Sequence, residues 1–240
     1  MHASHAPHAV LRHVSLASAL LLTTLCAITL ATGVSQQWFE WVRPPAAYAA
    51  RLVHDATALR AIIALDDVFI AAYVASAVLF VRFLSQPARE PLHVVAVGLS
   101  VAAGVFDLAE NHHLLSLLTL SEAGLRVPVE DILLRSQLSQ LKWMLGHVAF
   151  AFLGLTLSLE TPLARLLRVA LVYVQLPLGA LTWAAPFGPW LPALVWLRYG
   201  ALISGFAAVA WIASRPLYPV SPPRPASHVA AAAAGSGAPA

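Results

Sequence analysis

The stretch LHVVAVGLSVAAGVFDLAENHHLLSLL, Leu92–Leu118, decides the fold of this chain. It is predominantly apolar, and it is longer than the ~20 residues with which an α-helix crosses a bilayer. Its second half nevertheless carries two carboxylates, an amide and two imidazoles, namely Asp107, Glu110, Asn111, His112 and His113. The stretch therefore predicts a membrane helix with one polar face.

The composition places the whole chain in the same class. Of its 240 residues, 60% are hydrophobic and 10% are charged, whereas soluble globular proteins have ~25% charged residues. The arginines are scattered and form no basic stripe with interleaved aromatic residues, so we expect no nucleic acid as a partner. The single cysteine, Cys26, excludes an internal disulfide framework.

Six segments are apolar and long enough, or nearly so, to cross the membrane. Backbone groups in lipid must be hydrogen-bonded within the chain, so each segment is expected to be helical. The sequence thus predicts an all-α, polytopic integral membrane bundle of about six transmembrane helices. The predicted spans are Val14–Val34, Ala61–Val81, Leu92–Leu118, Leu138–Leu159, Leu163–Trp183 and Trp190–Ile212.

The predicted organisation has three parts. Residues 1–13 form a cytoplasmic N-terminal tail, residues 14–212 the transmembrane helical domain, and residues 213–240 a disordered tail rich in proline and alanine. The first apolar segment is longer than the usual 7–15 residues of a signal sequence, so we expect it to be retained. Its cleavage remains the alternative.

The distribution of basic residues predicts the orientation. With six spans, one side of the membrane collects seven arginines and two acidic residues, and the other side collects five of each. The first set is Arg12, Arg82, Arg89, Arg165, Arg168, Arg215 and Arg224 with Glu90 and Glu160; the second is Arg43, Arg51, Arg60, Arg126 and Arg135 with Glu40, Asp55, Glu122, Glu130 and Asp131. We therefore expect the plasma (inner) membrane, with both termini cytoplasmic.

Polar residues inside the predicted spans fall at a common depth. At 1.5 Å per helical residue they lie ~6–16 Å below the outer surface, where ionisable side chains face the bundle interior or a water-filled cavity. We interpret them as candidates for binding a ligand or a proton. The candidates are Asp66, Asp67, Asp107, Glu110, Asn111, Lys142, His147 and Arg198.

A structural network of ion pairs is the simpler interpretation of these charges. It would pair Asp66 or Asp67 with Arg198, and Glu110 with Lys142. Four carboxylates against two cations leave an excess of two negative charges, however. That excess requires protonated carboxylates or a bound cation, and it favours a functional site.

A single divalent metal is a further possibility for the site. Glu110 and His113 have the i, i+3 spacing of metal ligands in helical bundles, and His147 could complete the set. The motif occurs once, whereas di-metal bundles use it twice. No other cofactor is predicted. Trp38 and Trp41 are interpreted as anchors at the membrane interface.

The leading functional hypothesis is binding or transport of a small polar or cationic ligand, with proton coupling as one form of it. The first alternative is a membrane-embedded enzyme, with or without a metal, that acts on a lipid at the outer leaflet. The second is a structural subunit of a membrane complex. The sequence leaves open whether the chain is an enzyme. The expected partners are the bilayer and a small polar ligand or lipid, and no protein partner is predicted.

Overall fold

The computed structural model describes residues 6–159, 161–184 and 189–215. They form seven α-helices and two short 3₁₀ segments, and no β-strand is found in these ranges. The predicted C-terminal tail lies outside the described residues beyond Arg215. The helices are α1 (Ala6–Thr32), α2 (Pro45–Leu84), α3 (Glu90–Glu122), α4 (Val129–Thr156), α5 (Pro162–Val169), α6 (Gln175–Ala184) and α7 (Leu191–Ala213).

Proline and glycine set several helix ends. Pro45 occupies the first turn of α2, where its missing N–H leaves no bond unmade. Gly124 ends α3 with a φ of 69°, a left-handed conformation that favours glycine. The Gly124 N–H donates to the carbonyl of Ser121, and the Leu125 N–H donates to that of Leu120. This is the Schellman motif, which satisfies the last carbonyls of a helix.

The helices confirm the predicted all-α membrane bundle. Five segments are long and apolar enough to cross a membrane: His8–Thr32, Pro45–Leu84, Pro87–Glu122, Pro162–Thr182 and Leu191–Ala213. The sixth, α4, is 28 residues long but more polar. Its charged and imidazole groups at Arg135, Lys142 and His147 are buried, so they do not face lipid. The chain is thus a multi-pass membrane protein in its helical architecture.

Two predicted helix boundaries were wrong at the same end of the bundle. α2 begins at Pro45 rather than near Ala61, and α4 begins at Val129 rather than near Leu138. Hydropathy finds the part of a helix that suits lipid, and it ignores polar helical turns beyond that part. α1 likewise begins at Ala6, within the segment predicted as an N-terminal tail.

The consecutive helices α2 and α3 run antiparallel, whereas α2 and α4 finish at the same end of the bundle. Arg60 of α2 pairs with Glu122 of α3 near one end of the bundle. Between α2 and α4, Ser85 and Leu157 form an isolated bridge at the other end. We call the end near Glu122 the cap end, because a 3₁₀ helix, Gln36–Glu40, lies there; that helix is the cap segment.

The fifth span is irregular. α5 and α6 are joined by a single π-helical turn, Ala170–Val174. Pro177 in α6 has no N–H for the carbonyl of Tyr173, four residues earlier, which is a known cause of helix distortion. α4 packs closely on this turn, since a Cβ at Gly154 would lie 2.8 Å from Val172 Cγ2.

Candidate ligand-binding site

A fully buried carboxylate, Glu110, joins α3 to α4. Its Oε1 lies 2.9 Å from Nη2 of Arg135 and accepts a 2.5 Å hydrogen bond from the Ser139 hydroxyl. Its Oε2 lies 2.6 Å from Nζ of Lys142. Arg135 also donates to the backbone carbonyl of Glu110 at 2.6 Å. Two cations therefore neutralise one carboxylate, and we call these four residues the Glu110 cluster.

Lys142 extends this cluster toward the cap segment. Its Nζ lies 2.9 Å from Oδ1 of Asp107 and 3.6 Å from Oε1 of Glu40. The indole N–H of Trp143 donates to the same Glu40 oxygen at 3.4 Å. The cap segment is thereby tied to α4 through one buried carboxylate. Tyr73 of α2 donates to the other oxygen of Asp107 at 3.4 Å.

A second polar group lies between α2 and α3. The side-chain amide of Asn111, fully buried, donates to Oδ2 of Asp66 and to Oδ1 of Asp67, both at 2.9 Å. Asp67 is also 3.8 Å from Nε2 of His112, an exposed imidazole. In the described part of the chain, no basic side chain lies within 4 Å of the Asp66 carboxylate.

A cavity of about 350 Å³ opens at the cap end and brings these groups together; we call it the cap cavity. Its charged lining residues are Glu40, Arg43, Asp66, Asp107 and Lys142. Six aromatic residues also line it, namely Trp38, Trp41, Phe69, Trp143, Trp196 and Tyr199. Trp38 and Trp41, interpreted from sequence as interface anchors, thus contribute to the wall of the cap cavity.

Arg198 does not form the pair with Asp66 or Asp67 that the network interpretation predicted. Its guanidinium carbon lies 3.4 Å from the centroid of the Trp143 ring, and the residue is fully buried. None of its three nitrogens has a hydrogen-bond partner among the described residues. A cation–π contact therefore takes the place of the expected ion pair. The other predicted pair, Glu110 with Lys142, is present.

The three proposed metal ligands, Glu110, His113 and His147, each contact different groups and do not form one site. The Nε2 atom of His113 contacts the carbonyl of Asp131 at 3.0 Å. The ring of His147 stacks on Trp143, with 6.0 Å between centroids, and packs against Gly179, where a Cβ would overlap it. Glu110 is held by its own cluster. Within the described ranges, no group of three or more His, Cys, Asp or Glu residues could hold a metal ion.

Sequence reasoning missed three charged members of the site, since Glu40, Arg43 and Arg135 were all assigned to loops. Arg43 lines the cap cavity, and Glu40 and Arg135 are 2% and 0% exposed. A signal was available for Arg135, because it lies four and seven residues before Ser139 and Lys142 on one helical face. Glu40 had no such signal, since its position depends on how the cap segment folds over the bundle.

Neither a protein-family model, nor a curated protein, nor a solved structure matches this chain. Its function is therefore argued from the geometry of the site.

The Glu110 cluster predicts that Glu110→Gln will destabilise the protein. The amide leaves Arg135 and Lys142 buried without their shared counter-charge, and breaking a buried ion pair costs about 3–5 kcal/mol. We expect the melting temperature in detergent to fall by roughly 6–20 °C. Glu130→Gln, at an exposed position in the first turn of α4, is the matched control. Equal melting temperatures for the two variants would contradict a structural role for the cluster.

Proposed function

We propose that this membrane protein binds a small cation in the cap cavity and carries it across the membrane. The observation that supports the proposal concerns Asp66, a carboxylate that lines the cavity. It accepts a hydrogen bond from an amide, and no basic side chain of the described residues lies within 4 Å of it. Carboxylates inside a helical bundle are expensive unless they are paired or protonated. A cation entering the cavity would supply the missing partner and would exchange with a proton at Asp66.

The other acidic groups of the cap cavity already have a basic side chain as a counter-charge. Lys142 lies within 4 Å of both Asp107 and Glu40. The remaining cation of the lining, Arg43, is placed over the ring of Trp38, with its guanidinium carbon 5.4 Å from the centroid. Charge pairing therefore distinguishes Asp66 from its neighbours, and it favours a ligand with one positive charge.

The size of the cap cavity is suitable for a small molecule. Its volume of about 350 Å³ lies within the ~300–1,000 Å³ of typical ligand pockets. Most of its wall is apolar, and its polar lining consists of the five charged residues together with Thr29, Ser35, Gln36 and Gln37. A mainly apolar wall with a smaller number of polar groups is the usual arrangement where polar groups fix the orientation of a ligand.

Two further cavities support transport in addition to binding. A middle cavity of about 70 Å³ shares Leu202 with the cap cavity, and a far cavity of about 650 Å³ lies at the other end of the bundle. The middle and far cavities are lined by residues about one helical turn apart, such as Phe80 and Leu84 or Val209 and Ile212. The three cavities thus follow one another along the bundle, and the middle one is the constriction.

The lipid-directed enzyme has weaker support from the same geometry. Its candidate base, Glu110, is enclosed by Arg135, Ser139 and Lys142, and it is absent from the lining of the cap cavity. Among the described residues, none of those that line the cap cavity is a histidine.

Asp66→Asn should weaken cation binding while leaving the fold intact. We expect at least about a thirtyfold loss of affinity, because truncating one partner of a buried charge pair costs about 2–5 kcal/mol. Titration calorimetry of the purified protein with tetramethylammonium, ethylammonium and potassium chlorides measures it. Asp67→Asn is the matched control, since Asp67 shares the Asn111 amide but does not line the cavity. Unchanged affinity in Asp66→Asn, or no binding to the wild type, would contradict the proposal.

Gly205→Leu should block transport and spare binding. Gly205 lines the middle cavity, and a Cβ there would meet no atom within 4 Å, so a leucine side chain begins in open space and extends into the constriction. The readout is uptake, by reconstituted vesicles, of whichever of the three cations binds most tightly. We expect uptake to fall at least tenfold with unchanged calorimetric affinity. Gly200→Leu is the control, because Gly200 is also uncrowded but lines none of the three cavities. Undiminished uptake would refute this route.

We place the cap end outside the plasma membrane, with both termini cytoplasmic, on the basis of the arginine distribution. The single cysteine, Cys26, lines the cap cavity and can report the orientation. A membrane-impermeant cationic thiol reagent added to intact cells should label Cys26, and a cation bound in the cavity should slow the reaction. Labelling only after permeabilisation would reverse the orientation.

A further inference from the structure

The walls of the cap cavity specify which cation suits it; this step rests on the proposed function. Tyr199 of α7 lies edge-on to Trp196 and to Trp143, with ring centroids 6.2 and 6.4 Å apart. These three rings form a continuous series along the cavity lining. Phe69 adds a fourth ring on α2, one helical turn from Asp66 and on the same side of that helix.

The aromatic wall already holds one organic cation. The guanidinium of Arg198 stacks on Trp143 at 3.4 Å from the ring centroid, buried and without a hydrogen bond among the described residues. This guanidinium contacts a ring face instead of hydrogen-bond acceptors, which indicates that the negative faces of these rings attract a cation. The Arg198 guanidinium carbon also lies 5.6 Å from the centroid of Tyr199. Trp196, the next ring of the lining, has no such contact with Arg198 among the described residues.

The same surface offers few oxygen ligands to an inorganic cation and few hydrogen-bond acceptors to a primary ammonium. A divalent metal needs several oxygen ligands, and the described residues contain no group of three or more His, Cys, Asp or Glu able to hold one. A primary ammonium has three N–H donors to satisfy. Among the described residues that line the cavity, Asp66 is the carboxylate with no basic side chain within 4 Å, and one of its oxygens already accepts the Asn111 amide.

We infer that the cap cavity binds an alkylated ammonium, seated between the Asp66 carboxylate and the Trp196–Tyr199 wall. Alkyl groups on the nitrogen remove its hydrogen-bond donors and spread its charge over an apolar surface. Such a cation loses little on leaving water and gains both the carboxylate and the ring faces. The carboxylate favours a positively charged ligand over a neutral one, and the rings favour an alkylated ammonium over a primary one.

The test is a series of probes that separates charge from alkylation. Calorimetry would compare choline with ethanolamine, which is the same alcohol on a primary ammonium, and with 3,3-dimethylbutan-1-ol, the neutral isostere of choline. Potassium chloride completes the series. We expect choline to bind at least about tenfold more tightly than ethanolamine or potassium, and the neutral isostere to show no measurable binding.

Two variants connect the selectivity to the wall. Trp196→Leu should weaken choline binding about tenfold and leave ethanolamine binding unchanged, whereas Trp196→Phe, which keeps a ring, should lose less. Trp190→Leu is the control, since Trp190 is 73% exposed and does not line the cavity. Melting temperatures identify a variant that fails to fold, and the probe series on the wild type does not depend on any variant.

The contrary outcomes distinguish a failure of the alkylated ligand from a failure of the cation site itself. Ethanolamine or potassium bound as tightly as choline, with the binding lost in Asp66→Asn, would overturn the alkylated ligand and leave the cation site standing. Choline affinity unchanged in a folded Trp196→Leu protein would also overturn this inference alone. No binding by any of these cations, or equal binding of the neutral isostere, would overturn the proposed function with it.

Discussion

The arrangement of this bundle depends on the burial of one carboxylate between two cations. Glu110 brings Arg135 and Lys142 of α4 against α3, and Lys142 then reaches Asp107 and Glu40. Such a network is costly to desolvate, and it tolerates few alternative registers because each partner must be met. The cap segment, α3 and α4 are consequently fixed relative to one another by charge, in a fold whose remaining contacts are mostly apolar.

The Glu110 cluster distinguishes a carboxylate that holds helices together from the carboxylates that line the cap cavity, a difference that the sequence does not reveal. Asp66, Asp107 and Glu110 are equally polar residues in apolar helices, yet only the first two line the cap cavity. Glu110 is enclosed by its cations, Asp107 is shared between Lys142 and Tyr73, and Asp66 has an amide. The number of basic partners therefore falls from Glu110, which is enclosed by the cluster, through Asp107 to Asp66, which lines the cap cavity.

Hydropathy predicted the helical bundle because lipid imposes length and apolarity on each span. The candidate residues of α3 were found for the same reason, since a charge inside an apolar run is conspicuous. Arg135 and Glu40 escaped because they lie in polar segments, where a charge attracts no notice, and only tertiary packing buries them. The aromatic lining of the cap cavity was not predicted for a related reason. Trp38 and Trp196 are far apart in sequence, and sequence alone does not distinguish an interface tryptophan from one that lines a cavity.

The unusual length of α2 has a mechanical consequence. Its 40 residues amount to ~60 Å of unbroken helix, and they contribute Asp66 to the cap cavity, Ser76 to the middle cavity and Leu84 to the far cavity. One wall of the proposed route is therefore a single uninterrupted helix. The fifth span contributes its π turn, through Leu171, to the constriction alone. In the proposed route, the wall formed by α2 is continuous and the wall formed by the fifth span is interrupted by the π turn. Opening would then require movement of the fifth span while α2 keeps its position.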